Sequence, residues 1–172
     1  MNENLIWVDL LDQEIGSGEK LETHRKNQLH RAFSVFVING NKMLIQKRAK
    51  GKYHSGGLWA NACCSHPRKG ETLLEAVPRR MKEELGICCD VKEVFSFVYF
   101  QQYEGLSEYE YDHVYLTEYA GEVHPDTEEI EEIRWIAIQD LQKELETHPE
   151  QFCAWFLIAA PRVLHLLCDQ EG

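Results

Sequence analysis

Positive charge nearly disappears from the second half of this chain. Residues 93–172 hold 3 Lys+Arg against 18 Asp+Glu, whereas residues 1–92 hold 15 against 11. The net charge of -11 makes non-specific nucleic-acid binding an unexpected role. Long apolar runs are missing too. The most apolar stretch, 152–160, is about half the roughly 20 residues a bilayer-spanning helix needs. The opening MNENLIWVDLLDQE lacks the basic start and apolar core of a secretion signal, so a cytoplasmic protein is expected. Cys-x-x-Cys is also absent. The six cysteines, at 63, 64, 88, 89, 153 and 168, match neither a disulfide scaffold nor a zinc or redox site. Most are expected to be buried, reduced thiols, one of them with a chemical role.

What is present suits one globular domain over residues 1–172, with 44% hydrophobic residues for a core and no internal repeat. The charge split has a use: the first half can supply anion-binding groups and the second half carboxylates. Strands are predicted at 6–10, 30–38, 42–47, 58–65, 91–101, 109–119 and 130–138. Polar turns are expected at Gly16-Ser17-Gly18 and Asn39-Gly40-Asn41. Residues 51–57 read as a basic, glycine-containing loop. Leu74, Val77, Met81 and Leu85 follow helical spacing, with Gly86 as a stop, and further helices are expected at 139–146 and 150–168. Pro78 falls inside the first helix unless that helix begins near Val77. Otherwise a kink just before Arg79 is expected.

Three constellations could carry chemistry. On the helix, Arg79 and Glu83 are four apart, as are Arg80 and Glu84. Read alone, these are two exposed ion pairs. The sharper reading has Glu84 hold a hard cation while Arg80 holds a phosphate. In Cys63-Cys64-Ser65-His66-Pro67, strand alternation turns Cys64 and His66 into one space and Cys63 away from it. A buried thiol beside an incidental histidine is the plain alternative. In Glu108-Tyr109-Glu110 the same period aligns two carboxylates, either exposed acids of an edge strand or a pair of metal ligands. His24 and His30 add nitrogen donors. Three histidines with two carboxylates suit Zn²⁺ or Mn²⁺ better than Mg²⁺.

The order Ser65-x5-Glu71-x7-Arg79-Arg80-Met81-x-Glu83-Glu84-x-Gly86-Ile87 resembles the Nudix box, which binds diphosphates through divalent cations. Ser65 stands where that pattern has glycine, and Arg80 where it has glutamate. A positive charge at the second position argues against hydrolysis and towards holding an anion. With Glu19-Lys20, His24, Leu29-His30-Arg-Ala-Phe33, Lys47-Arg48-Ala49, Leu58-Trp59-Ala-Asn61, Cys64-Ser-His66-Pro67, Glu108-x-Glu110 and Phe152-x-x-Trp155, the chain resembles the type 1 isopentenyl-diphosphate delta-isomerases, Nudix-fold enzymes of isoprenoid biosynthesis, most strongly over 19–155.

The resemblance implies an α/β (α+β) fold, a Nudix-type mixed β-sheet packed between helices. It implies isomerisation of an isoprenyl diphosphate, with no nucleic-acid or membrane partner. Cys64 and Glu110 would be the acid–base pair, Tyr99 the partner of the catalytic glutamate, and Trp155 the aromatic facing the developing cation. His24, His30, His66, Glu108 and Glu110 would hold one metal, Zn²⁺ or Mn²⁺. Glu84 would help bind Mg²⁺ carried in with the diphosphate. Lys20, Arg48, Lys52 and Arg80 would grip that diphosphate. Two rival readings are a Nudix hydrolase and a non-catalytic diphosphate-binding protein. Oligomeric state stays open.

Overall fold

The computed structural model describes residues 3–52 and 54–169. Its centre is β3 (His30–Asn39), a ten-residue strand with Ala32, Phe33 and Val35–Ile38 as its apolar positions and almost all of its length buried. A strand of that composition needs cover on both faces, and it has it. Phe33, Val35 and Val37 pack under one helix, while Phe36 and Ile38 pack under another. Along its length β3 runs parallel to β8 (Leu106–Glu118), with His30 opposite Glu110 and Ser34 opposite Val114. Its other edge is shared in succession by β1 (Leu5–Val8), β6 (Cys63–Ser65) and β4 (Lys42–Arg48). Beyond these, β2 (Glu14–Gly18) pairs β1, β5 (Trp59–Asn61) and β9 (Ile130–Ala137) pair β4, and β7 (Lys92–Tyr103) pairs β8.

Four helices complete the fold: α1 (Lys20–Arg25), α2 (Leu73–Leu85), α3 (Ile138–Thr147) and α4 (Ala154–Asp169). Helix α2 buries Ala76, Val77, Met81 and Leu85 on one face of the sheet. Helix α4 buries Trp155, Phe156, Ala159, Ala160, Val163 and Leu164 on the other. The result is the expected mixed sheet between helices. Among the described residues no helix is long and apolar enough to cross a membrane.

Several local expectations need correction. Gly16-Ser17-Gly18 is strand, not turn, because the Trp7 indole of β1 lies across it. A Cβ on Gly16 would come within 2.9 Å of the Trp7 ring, and one on Gly18 within 2.2 Å. The turn comes earlier, where Asp9 Oδ1 accepts from the amides of Leu11 and Gln13 at 2.8 and 2.9 Å. The predicted strand 58–65 is two strands, since Ala62 separates a piece paired with β4 from one paired with β3. The helix expected from residue 150 begins at Ala154, after a 3-10 turn at Pro149–Gln151. Of the six cysteines only Cys63 and Cys153 are fully buried; Cys88 and Cys168 are exposed.

Helix α2 opens on a capping box between Thr72 and Glu75, and left-handed Gly86 ends it at φ 66°. It therefore starts five residues before Pro78 and runs through it. Leu74 was expected in the buried stripe but is 82% exposed. Leu73 packs on the core instead, four residues before Val77 and on its side of the helix.

Candidate functional site

A cleft lined largely by charged and polar side chains opens beside the ends of β3, β6 and β8. Its walls come from elements far apart in sequence. Helix α1 contributes Lys20, the end of β4 Arg48, the following loop Lys52 and His54, β6 Cys64, α2 Arg80 and Glu84, and α4 Trp155. The paired strands β7 and β8 contribute Tyr99, Glu108 and Glu110. Of the residues expected to serve in catalysis, diphosphate binding or metal binding, His24 and His30 alone do not line the cleft. They lie buried beside it, at 1% and 0% exposure.

Those two histidines belong to a cluster at the cleft wall. One donor atom from each of His24, His30, His66, Glu108 and Glu110 lies within 4.8 Å of the others. His24 Nε2 is 3.3 Å from Glu108 Oε1. His30 Nε2 and His66 Nε2 are 3.5 and 2.9 Å from Glu110 Oε1. The backbone sets the ring orientations: His24 Nδ1 meets the Lys20 carbonyl at 2.5 Å and His30 Nδ1 the Gln28 carbonyl at 2.9 Å. Each ring thus turns Nε2 inward, with its other nitrogen held by a carbonyl as in metal-ligating histidines.

The cluster fits a divalent cation on its own features. His30 Nε2 and Glu108 Oε2 are buried with no hydrogen-bond partner, a costly arrangement that a bound cation would relieve. Burial and the neighbouring Glu110 charge push the Glu108 carboxyl up to about 8. Burial likewise pulls His66 down to about 3, against the pull of Glu110, which leaves its imidazole neutral and able to ligate. Three nitrogens and two carboxylates make a donor set for a divalent metal.

Next to this cluster stand two groups able to carry a proton. Burial pushes the Cys64 thiol well above its usual range, against the opposing charge of Arg48. Cys63, on the same strand, packs into the opposite core under α2. Glu110 Oε2 accepts a 2.8 Å hydrogen bond from the Tyr99 hydroxyl. Burial, with the Glu110 charge, holds that phenol in its protonated form. The Trp155 indole N–H donates to Asn61 Oδ1 over 3.1 Å, fixing the ring in the wall, and the Arg48 guanidinium lies 5.2 Å from its centroid.

The other end of the cleft is ionic. Glu84 is only 3% exposed. Its Oε1 accepts from Arg80 Nη2, and its Oε2 lies 3.5 Å from the Gln46 amide. Burial pushes the Glu84 carboxyl up, with Arg80 opposing. Both helix ion pairs expected from spacing are present, Arg79–Glu83 at 3.2 Å and Arg80–Glu84. Arg79 has a second role, gripping Glu71 bidentately at 2.6 and 2.8 Å and so tying the loop before α2 to the helix.

Three residues of this site escaped the sequence reading. His54 Nε2 contacts Glu108 Oε1, its imidazole kept neutral by burial, and its ring stacks on Tyr103 at 5.0 Å, but it sits in an irregular loop with no period to flag it. Glu129 meets both Arg80 and Lys52, yet in sequence it belongs to an acidic run that reads as solvated charge. Gln46 looks like an ordinary strand residue. The six-residue helix α1 was also missed. The four-residue spacing of Lys20 and His24, which puts both on its inner side, was the available signal.

The NUDIX domain model matches residues 28–156. "Isopentenyl-diphosphate Delta-isomerase" of Burkholderia multivorans is 44% identical over 158 residues, covering 91% of this chain and 90% of that protein. "Isopentenyl-diphosphate Delta-isomerase 1" of Aromatoleum aromaticum is 40% identical over 173 residues, covering 99% of this chain and 97% of that one. Among solved structures, a Deinococcus radiodurans protein superposes with a TM-score of 0.77 at 18% identity, covering 93% of this chain and 98% of that one. That likeness shows the fold. The matched span and the relatives' identity show the family: the chain belongs to the NUDIX domain proteins and, among them, to the isopentenyl-diphosphate Delta-isomerases.

Proposed function

We propose that the protein converts isopentenyl diphosphate to dimethylallyl diphosphate, with the whole chain acting as one catalytic unit. The observation that carries this reading is the cleft itself. Two proton carriers, Cys64 and Glu110, line it from different strands, and cationic Arg48, Lys52 and Arg80 line the same space. The reaction needs both halves of that arrangement. One alkene carbon gains a proton and a neighbouring carbon loses one, so two separate groups must serve.

Cys64 and Glu110 are the acid–base pair, one giving its proton and the other taking one, and they exchange roles in the reverse direction. Tyr99 hydrogen-bonds Glu110 and fixes which carboxylate oxygen faces the substrate. Protonating the alkene produces a tertiary carbocation. Trp155, buried in the cleft wall, offers it an aromatic face in place of the water that would otherwise capture it. Lys20, Arg48, Lys52 and Arg80 bind the diphosphate remote from the reacting carbons and so fix the carbons' position.

His24, His30, His66, Glu108 and Glu110 would hold a Zn²⁺ or Mn²⁺ ion, and Glu84 would help hold Mg²⁺ arriving with the diphosphate. The first ion, when bound, supplies positive charge beside Glu110 and the second neutralises the diphosphate. A cytoplasmic location, with a small-molecule partner and neither nucleic acid nor membrane, suits this reading.

The test is incubation with isopentenyl diphosphate and Mg²⁺ in deuterated water. Dimethylallyl diphosphate carrying deuterium, with no phosphate released, is the expected product. Release of phosphate without isomer would sink the reading and restore a hydrolase.

A further inference from the structure

The cations at the ionic end of the cleft are already engaged. Arg80 Nη2 has two hydrogens, and both are committed: one faces Glu84 Oε1, the other the Glu129 carboxylate, whose two oxygens are each 3.0 Å away. Arg80 Nη1 donates to Glu83 Oε2 over 2.7 Å. Lys52 Nζ lies 3.1 Å from Glu129 Oε2. Glu129 thus stands between a guanidinium on α2 and an ammonium on the loop after β4. That is the position an oxygen of a bound phosphate would take.

Its backbone is fastened to the sheet edge, whereas its side chain is held only by those two cations. The Glu129 carbonyl accepts from the Ala49 amide at 3.0 Å and its own amide donates to Asp126 O at 3.1 Å. The next residue, Ile130, pairs with Arg48. The side chain is 30% exposed, so it can swing towards solvent without moving the chain. Across the five charged groups that meet here, Arg80 and Lys52 face Glu83, Glu84 and Glu129. Within this group, leaving aside Lys20 and Arg48 elsewhere in the cleft, the carboxylates outnumber the cations by one, and Glu129 is the one shared by both cations. An anion that takes both Arg80 and Lys52 must therefore displace the Glu129 carboxylate rather than fill a vacant position between them.

We propose that Glu129 is an internal counter-anion of the diphosphate site, a specificity-determining residue that holds Arg80 and Lys52 until a more highly charged anion displaces it. This rests on the reading that a diphosphate binds at Arg80 and Lys52. Diphosphate offers several oxygens and more charge than one carboxylate, so it can win this exchange where a singly charged anion does not. Glu129 also keeps the two cations at a fixed separation in the empty site.

Calorimetric titration of the purified protein with inorganic diphosphate, in buffer free of added divalent cations, tests the exchange. Glu129→Gln keeps the size of the side chain and removes its charge. It is expected to bind diphosphate about 5- to 10-fold more tightly than the wild type, with the gain shrinking as salt is raised. Glu129→Ala is expected to show the same direction, which guards against a fault peculiar to the amide. A damaged fold weakens binding, so tighter binding separates a counter-anion from a scaffold residue. Equal or weaker binding in these variants would overturn the proposal. Lys52→Ala tests the underlying reading: wild-type affinity that is undiminished by it would remove the diphosphate from this position, and the proposal with it.

Discussion

Tyr99 and Glu110 are register partners across the β7–β8 hairpin, and the Tyr99 hydroxyl donates to Glu110 Oε2 over 2.8 Å. The other oxygen, Oε1, faces His30 and His66. One carboxylate is therefore divided between two neighbours, one oxygen among the clustered histidines and the other on a phenol. Sheet register enforces the division, since Tyr99 and Glu110 project to the same face as direct cross-strand neighbours.

Removing only the phenol's hydroxyl should expose the value of that division. Tyr99→Phe is expected to lower kcat by about 10- to 100-fold while leaving bound metal at the wild-type level. Steady-state kinetics alongside elemental analysis measures both. An unchanged kcat would reduce Tyr99 to a packing residue.

Cys64 and His66 lie two residues apart, and both line the cleft, but the proposed reaction gives them different work. Cys64→Ala is expected to abolish turnover and keep the metal, because the thiol is not among the clustered donors. His66→Ala should lose metal affinity by at least about 100-fold, and turnover with it. Equal metal content in the two variants would refute this separation of roles.

The parts of the site legible from sequence are those with a backbone period behind them. Alternation placed Cys64 and His66 together and Glu108 with Glu110, because strand geometry leaves two residues apart little other choice. Four-residue spacing on α2 did the same for Arg80 and Glu84. The central strand β3 was legible from its β-rich run, Phe33 and Val35–Ile38, ahead of the Asn39-Gly40 turn. What no local period encodes is convergence. His54 and Glu129 reach the cleft only because a loop returns there and because β9 pairs with β4. Gly16 and Gly18 read as a turn because the reason for glycine there, the Trp7 ring, lies on a neighbouring strand.

The Glu71–Arg79 pair should leave a mark on the pH dependence of stability. Its bidentate contact with Arg79 holds the Glu71 carboxyl below the usual carboxylate range. A depressed folded value adds stability above the unfolded value of about 4.3, and that stability is lost as pH falls through the folded value. Glu71→Gln is therefore expected to cost about 1–2 kcal/mol at pH 7. The gap from wild type should narrow steadily below about pH 4. Urea unfolding across that range measures it, and a gap that stays constant with pH would show that the charge of Glu71 contributes nothing.

Pro78 sits in the sixth position of α2, where its ring nitrogen cannot donate to the Leu74 carbonyl four residues earlier. The helix nonetheless continues to Leu85 and delivers Arg80 and Glu84 to the cleft. Its first turn is secured by the Thr72–Glu75 capping box and its buried face by Val77, Met81 and Leu85. Pro78 itself is exposed, so replacing it opens no cavity in the core. An interior proline costs about 3 kcal/mol in a helix, partly offset by about 1 kcal/mol because it restricts the unfolded chain. Pro78→Ala is then expected to stabilise the protein by about 1–2 kcal/mol, raising Tm by roughly 2–8 °C. Thermal unfolding monitored by circular dichroism measures the shift. If Tm falls instead, the bend or rigidity that proline imposes on α2 is part of how this chain holds its sheet, and the helix has been built around it.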